Sequence, residues 1–466
     1  MAGEEPIVNL CVMDSPYALR ASSKRSFTPK NYVEFRYEGY EVQTGSEVVT
    51  SRFSLVGAHS DPITFSETVV LPAPVRDAEE VRPVVRLLAL AMGLSYYKAA
   101  APRRITVSQG MTAMERTFLI ELVGNGMGEF AYRNGRPLAL TPEIVAEPIN
   151  PIRTTGTVRG TRPLVAVGGG KDSAVTIEVC KHVDGVEPPL LFSVNQYPAV
   201  DRCVAVSGCE YVAATRQIDP LLLELNKAGA LNGHVPVTAI NSLIGLLVSH
   251  VMGAGPVVMS NEASANFGNV EWVGREINHQ WSKSLDFENL LRRTLAESGF
   301  DASAYFSLLR PFDELHIAQR FSRLPQYFLA FTSCNKAFKL DQEVRATHWC
   351  CDCPKCLFVF LSLAAWLPPQ TVVPIFGQNL LDDPRHLDSL REILGLTGYK
   401  PFECVGEESE AREALRLAGA RKQWADTACV RQLLPQIADF PPYVPVQGVW
   451  DNIPDPYAAA LARTQP

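Results

Sequence analysis

The chain has 466 residues, 47% of them apolar and 20% charged, with a net charge of -7. Such a chain describes an ordinary globular protein of two or three domains with ample core. No Lys/Arg run exceeds two residues, so a nucleic-acid backbone finds no electrostatic footprint and nucleic acid is not an expected partner. The beginning, Met1-Ala-Gly-Glu-Glu-Pro6, is acidic and lacks an apolar signal core, which points to the cytoplasm. The apolar stretch 235–260 is broken by Asn241, Ser249 and His250. The stretch 356–367 has 12 residues, too few to span a bilayer. Both read as buried elements, with no membrane partner. Eleven cysteines without a signal segment point to thiols or a metal site, not to a disulfide frame.

Residues 1–150 form a first region. From 32 to 71 apolar and polar residues alternate, through Val33, Phe35 and Tyr37 to Phe53, Phe65 and Val69. That period predicts half-exposed antiparallel strands. Helices are expected at 79–97 and 112–124, and a strand at 104–107. An α+β domain results, with a capping or substrate-binding role. A linker rich in Pro, Thr and Gly follows at 147–162.

A second region, 160–367, opens with the apolar run 164–167, which reads as a buried parallel strand. Gly168-Gly-Gly-Lys-Asp-Ser173 comes directly after it, and a helix is expected at 174–183. Strand, glycine turn and helix N-terminus make a phosphate-binding geometry. The Walker pattern fails, because Asp172 follows Lys171 and Ala166 stands where a glycine is needed. The nicotinamide pattern fails at Ser173. Further strands are expected at 190–194, 211–214 and 256–259, with helices at 220–228 and 237–252. This alternation implies an α/β fold with a parallel sheet. Ligands bind at the carboxyl ends of such strands, where a second polar loop, Ser260 to Asn269, also lies.

Asn278-His-Gln-Trp-Ser-Lys-Ser284 follows, with a helix over 287–298 and a helix-rich stretch at 310–331. Cys350, Cys353 and Cys356 are spaced as C-x-x-C-x-x-C, and Cys334 lies upstream. Four thiolates can close a tetrahedral zinc site. Cys351 offers a second register. Ordinary buried thiols, or a cysteine acting as acid or base, remain open alternatives. The last region, 368–466, carries helical patterns around the loop 397–404 and reads as a helical extension.

The loop at 168–173 resembles that of the PP-loop ATP pyrophosphatases (adenine nucleotide alpha hydrolase-like), with Gly168 in place of their first serine. Ser260-Asn-Glu-Ala-Ser-Ala-Asn266, the segment 278–284 and Trp349-Cys-Cys-Asp-Cys-Pro-Lys-Cys356 resemble one branch of that superfamily. These are the ATP-dependent epimerases of UDP-N-acetylmuramoyl-L-alanyl-L-glutamate in bacterial peptidoglycan synthesis. The resemblance implies inversion of the terminal L-Glu of a nucleotide-sugar dipeptide, with ATP going to AMP and pyrophosphate. It also implies a division of roles. Gly168, Gly169, Gly170 and Ser173 would hold the pyrophosphate end of ATP, and Lys171 would neutralise phosphate charge. Asp172 and Glu262 would hold Mg²⁺, and Asn261 or Asn266 would contact ATP or substrate. Lys283 would neutralise the α-carboxylate or adenylate phosphate. His279, Lys283, Cys334 and Lys355 are candidates for proton exchange. Cys334, Cys350, Cys353 and Cys356 would form a structural Zn²⁺ site like that of the deazaguanine-nitrile enzymes. A PP-loop amidotransferase or nucleobase-modifying ligase, using ammonia or sulfur as nucleophile, is the alternative. The cysteine cluster favours it, and the acidic charge and Asn/Glu-rich loops do not.

Overall fold

The computed structural model describes residues 27–59, 61–154, 160–338, 345–398 and 400–464. The acidic beginning, part of the linker and Tyr399 lie outside the described residues. In chain order the strands are β1 (Tyr32–Glu41), β2 (Val48–Gly57), β3 (Ile63–Val70), β4 (Arg104–Val107), β5 (Glu143–Val145) and β6 (Leu164–Ala166). Then come β7 (Leu190–Val194), β8 (Tyr211–Gln217), β9 (Val257–Met259), β10 (Val270–Trp272), β11 (Arg275–Ile277) and β12 (Tyr305–Ser307). All but the β10–β11 hairpin join one sheet, in the order β12-β9-β6-β7-β8-β3-β2-β1-β4-β5.

The alternation at 32–71 becomes three antiparallel strands whose inward aromatics line up. Phe53 pairs with Tyr37 on one side and Phe65 on the other. The helix Ala78–Tyr97 covers this face, and its Tyr96 ring lies 5.1 Å from that of Phe53. From β12 to β8 every neighbour is parallel. The strands β9 and β12 are buried along their length, as expected where helices cover both faces of a sheet.

The two halves of the sheet meet at β8, which runs on to Gln217 instead of stopping near 214. The extension is held by antiparallel pairing, Val70 with Thr215 and Thr68 with Gln217. One apolar core therefore contains Phe53 and Tyr96 together with Ile240 and Val257. A second core, on the other face, gathers Val165, Ile177, Phe306, Phe358 and Trp424. The latter is closed by C-terminal helices, among them Pro369–Phe376, Glu408–Gly419 and Asp455–Arg463.

Some elements differ from expectation. The helix after β6 spans Lys171–Cys180, so it begins on the loop residues themselves. The helix Pro198–Ser207 and the strand β12 are additional. A strand of three residues, Tyr305–Ser307, is shorter than any periodic pattern can register. Among the described residues, no helix is long and apolar enough to cross a membrane.

The chain leaves β6 towards β7 on one side and returns to β9 on the other. That is a topological switch point, and a crevice forms there at the carboxyl ends of the strands. The loops 167–170 and 260–269 both open into it.

Candidate active site

Each glycine of the first loop is constrained differently. Gly169 has φ of +77°, and a Cβ there would lie 2.8 Å from the backbone carbon of Ala199. A Cβ at Gly170 would meet Ser333 Oγ at 2.7 Å. At Gly168 the nearest atom to a Cβ is Ser173 Oγ, at 3.9 Å, so a side chain has room. Gly168 N donates to Ser173 Oγ at 3.0 Å, and Thr332 N donates to Gly169 O at 2.9 Å. The loop is thus bound to the helix it opens and to the segment before Cys334. The N–H groups that open that helix have no carbonyl one turn earlier within the helix to bond, the usual anion seat.

Beneath the loop lies a buried network of charges. Lys171 bonds both Asp172 and Glu314, and Lys355 Nζ lies 3.3 Å from the second oxygen of Glu314. Burial pushes the Glu314 carboxyl up, but Lys171 and Lys355 outweigh it and hold it at about 2. Glu262 behaves oppositely. Burial, with Glu314 and Asp172 nearby, pushes it up to about 7 in spite of Lys283. Burial works against the Lys283 ammonium, yet Cys404, Glu262 and Asp172 keep its pKa above the ordinary lysine value. Of these groups Asp172, Glu262, Lys283, Lys355 and Cys404 line one cavity of about 280 Å³ with Gly168, Gly170 and Ser173, while Lys171 and Glu314 lie buried behind it.

The cavity wall continues into a second cluster. Lys283 Nζ lies 3.4 Å from Cys404 Sγ. His279 hydrogen-bonds Cys404 and, through Nδ1, Glu129. Burial opposes charge on His279, but Cys404 and Glu129 lift it to about 9. Its neighbour His234, with ring centroids 4.4 Å apart, is pushed down to about 3 by burial and by the His279 charge. Burial raises the Cys404 thiol, and the cations Lys283 and His279 reverse this, bringing it to about 5.

The sequence reading reaches Asp172, Lys283, His279, Asn261 and Glu262, and the structure brings these to one place. Asn261 lines the cavity while its Nδ2 donates to Ser307 Oγ at 2.9 Å. Asn266 is elsewhere: it accepts from Leu285 N at 2.8 Å and lines a separate cavity of about 660 Å³ with Asn278, Arg275 and Trp281. Sequence reasoning does not reach Glu129, Glu314 or Cys404. Glu129 and Cys404 belong to different regions from their partners, Glu314 lies far along the chain from Lys171, and no local spacing marks them.

Cys334, Cys350, Cys353 and Cys356 come together with their sulfurs all within 4.8 Å of one another. The Cys353–Cys356 and Cys350–Cys356 sulfurs are 3.5 and 3.7 Å apart. Tetrahedral zinc with bonds of about 2.3 Å requires roughly 3.8 Å between sulfurs, so the donor set fits that ion. The register is Cys350, not Cys351, whose φ of +58° turns its thiol away to donate to Phe376 O at 3.2 Å. Cys353 precedes the helix Pro354–Ala364, and Glu403 accepts from Lys355 N in its first turn at 3.0 Å.

The profile described as the MurL N-terminal domain matches residues 26–308, and that described as the MurL C-terminal domain matches 330–443. The chain belongs to the MurL family. A UDP-N-acetyl-alpha-D-muramoyl-L-alanyl-L-glutamate epimerase of Micromonospora sp. is 42% identical over 447 residues, covering 92% of this chain and 98% of its own length. Epimerases of the same name from Salinispora tropica and Xanthomonas oryzae pv. oryzae are 43% and 37% identical, over 87% and 85% of this chain and 89% of each relative. No solved structure matches the chain. The MurL N-terminal match carries the loop, Glu129, His279 and Lys283, while the MurL C-terminal match carries the cysteine cluster and Cys404. The site needs both.

Proposed function

We propose that this chain is a UDP-N-acetylmuramoyl-L-alanyl-L-glutamate epimerase that inverts the terminal L-Glu to D-Glu through carboxylate adenylation. Family membership, with relatives of that name at 42%, 43% and 37% identity, carries the epimerase reading. The loop at the sheet's switch point supports the ATP reading, and with it a PP-loop core over 160–367.

The chemistry explains the pairing. A carboxylate disfavours loss of the adjacent α-proton, because an enolate beside it would gather two negative charges. Converting it to an acyl-adenylate, with release of pyrophosphate, removes that charge and lets the carbonyl take up the electron pair; water then cleaves the acyl-adenylate after inversion, giving back the carboxylate and AMP. Gly168, Gly169, Gly170 and Ser173 would seat phosphate oxygens, and Lys171 and Lys283 would balance their charge. Asp172 and Glu262 fit a Mg²⁺ ion: a buried carboxyl pushed up to about 7 is short of cations, and Mg²⁺ takes carboxylate and phosphate oxygens. When bound, that ion would neutralise phosphate charge. The four cysteines would hold a structural Zn²⁺. Residues 1–150 would bind the bulky nucleotide-sugar end, and 368–466 would form a helical extension. The reaction would run in the cytoplasm.

The test is mass spectrometry in D₂O with ATP, comparing the nucleotide dipeptide, the free dipeptide and free L-Glu. One deuterium at the α-carbon, with AMP and pyrophosphate formed, is expected for the nucleotide dipeptide. Free L-Glu should react far more slowly, because binding of the remote nucleotide-sugar positions the small reacting end. Inversion without ATP would overturn adenylation. A product in which nitrogen or sulfur has replaced a carboxyl oxygen would return the ligase reading.

A further inference from the structure

The ATP cavity contains a thiol with no assigned part in the reaction. Cys404 lines the same space as Gly168, Asp172 and Ser173. It is the meeting point of two cationic side chains, Lys283 Nζ at 3.4 Å and His279 through a hydrogen bond. His279 gives Nδ1 to Glu129, which leaves Nε2 for the sulfur. A carboxylate orienting an imidazole that faces a thiol is the arrangement that activates a cysteine.

The loop carrying Cys404 is fixed at several points. Pro401 O accepts from Asn269 Nδ2 at 2.8 Å, Val405 O accepts from Gln280 Nε2 at 3.4 Å, and Glu403 accepts from Lys355 N at 3.0 Å. The segments that supply His279 and Lys283 thus also hold the thiol's backbone. The other thiols differ in kind. Cys180, Cys203 and Cys429 are pushed up by burial, and the four clustered cysteines face one another.

We propose that Cys404 is the thiolate that takes the α-proton of the adenylated glutamate, held in place by Lys283 and by His279 with Glu129. The assignment rests on the adenylation reading above. In the step, the Cα–H bond breaks and S–H forms. The electron pair moves into the bond between Cα and the acyl carbon, and the carbonyl oxygen becomes an enolate. A proton originating in solvent then adds to Cα from the opposite face, and Cys404 returns its own proton to solvent. His279 is the positioning residue, and Lys283 and His279 together keep the sulfur deprotonated.

The pH behaviour follows from the facing groups. On the cationic side are Lys283, His279 and Lys355; on the acidic side is Glu403, with Glu129 and His234 behind His279. The sulfur is held at about 5 and the imidazole at about 9. Proton exchange should fall below pH 5 as the base protonates, and fall above pH 9 as the thiolate loses its imidazolium partner.

Full-length wild type, Cys404→Ala and Cys404→Ser are compared by pyrophosphate release and by α-deuterium incorporation on the nucleotide dipeptide. The two variants should still release pyrophosphate while exchange drops by about 10²- to 10⁴-fold, the usual contribution of a positioned base. Exchange near the wild-type rate in either variant overturns the proposal. Loss of pyrophosphate release together with exchange, in a variant of wild-type circular dichroism, overturns it too and makes Cys404 part of the ATP seat. Absence of pyrophosphate release in wild type sinks the adenylation reading instead. Independently, iodoacetamide at pH 6 with peptide mass spectrometry should label Cys404 in wild type, and Glu129→Gln should slow that labelling. Labelling that rises only in the ordinary thiol range, about pH 8.5, contradicts the ion pair.

Discussion

Gly168 and Gly169 are adjacent, yet their side-chain tolerance is opposite. Gly169 needs a left-handed φ of +77° and touches the Ala199 backbone, so Gly169→Ala should cost about 1–3 kcal/mol and distort the loop. Gly168 has room, so Gly168→Ser should leave stability within about 0.5 kcal/mol and keep ATP cleavage. Thermal melts of both variants check this pair, and an equal loss at both positions would contradict it. Asp172 carries the next prediction. Asp172→Asn keeps the shape but removes the carboxylate facing Lys171, and AMP and pyrophosphate formation should cease while circular dichroism is unchanged. Near wild-type turnover would remove Asp172 from the ATP site. At this scale the sequence was legible wherever chemistry is local. The glycine loop, His279 and Lys283 could be read from short strings, whereas Glu129 and Cys404 acquire meaning only from partners far along the chain.

The helix Pro354–Ala364 links two functions. Its N-terminal end carries the cysteine cluster, and its first turn holds Glu403, the neighbour of Cys404. The upstream cysteine of the cluster, Cys334, ends the segment whose Thr332 N donates to Gly169 O at 2.9 Å. Metal in the cluster would therefore brace both the glycine loop and the Cys404 loop. Elemental analysis should find one zinc per chain. Cys334→Ser should lose it and destabilise the fold by several kcal/mol, on the order expected when metal binding is part of folding. Cys351→Ser should keep it, because that thiol points to Phe376 O. Zinc-free protein with an undiminished melting temperature would leave the four cysteines as plain thiols. The spacing Cys350, Cys353, Cys356 was readable from sequence. The choice between Cys350 and Cys351 was not, since it depends on one positive φ at Cys351. Long apolar elements such as Val237–Met252 were equally plain, while β12 was too short to leave a trace.

Across the whole molecule, the sheet runs without a break from β12 to β5, and the antiparallel β3–β8 pair joins its two halves. No local pattern announces that pairing, because it joins residues such as Val70 and Thr215 through spatial proximity alone. Its effect reaches the site. The helix Gly128–Asn134 brings Glu129 from the first region to His279 of the second, which in turn meets Cys404 of the third.

Under the adenylation proposal, the buried charges of this crevice also govern how an anionic nucleotide arrives. Lys171, Lys283 and Lys355 are already matched by Asp172, Glu314 and the Cys404 sulfur, inside a chain of net charge -7. The cavity is close to electroneutral and projects little attraction into solvent, so capture relies on contact-range dipoles and not on long-range steering. Added salt, with a screening length of about 8 Å at physiological strength, has no attractive field to weaken. Stopped-flow association of ATP should hold steady or quicken slightly between low and physiological ionic strength. A steep slowing would mean that the crevice is far more positive than its paired side chains imply.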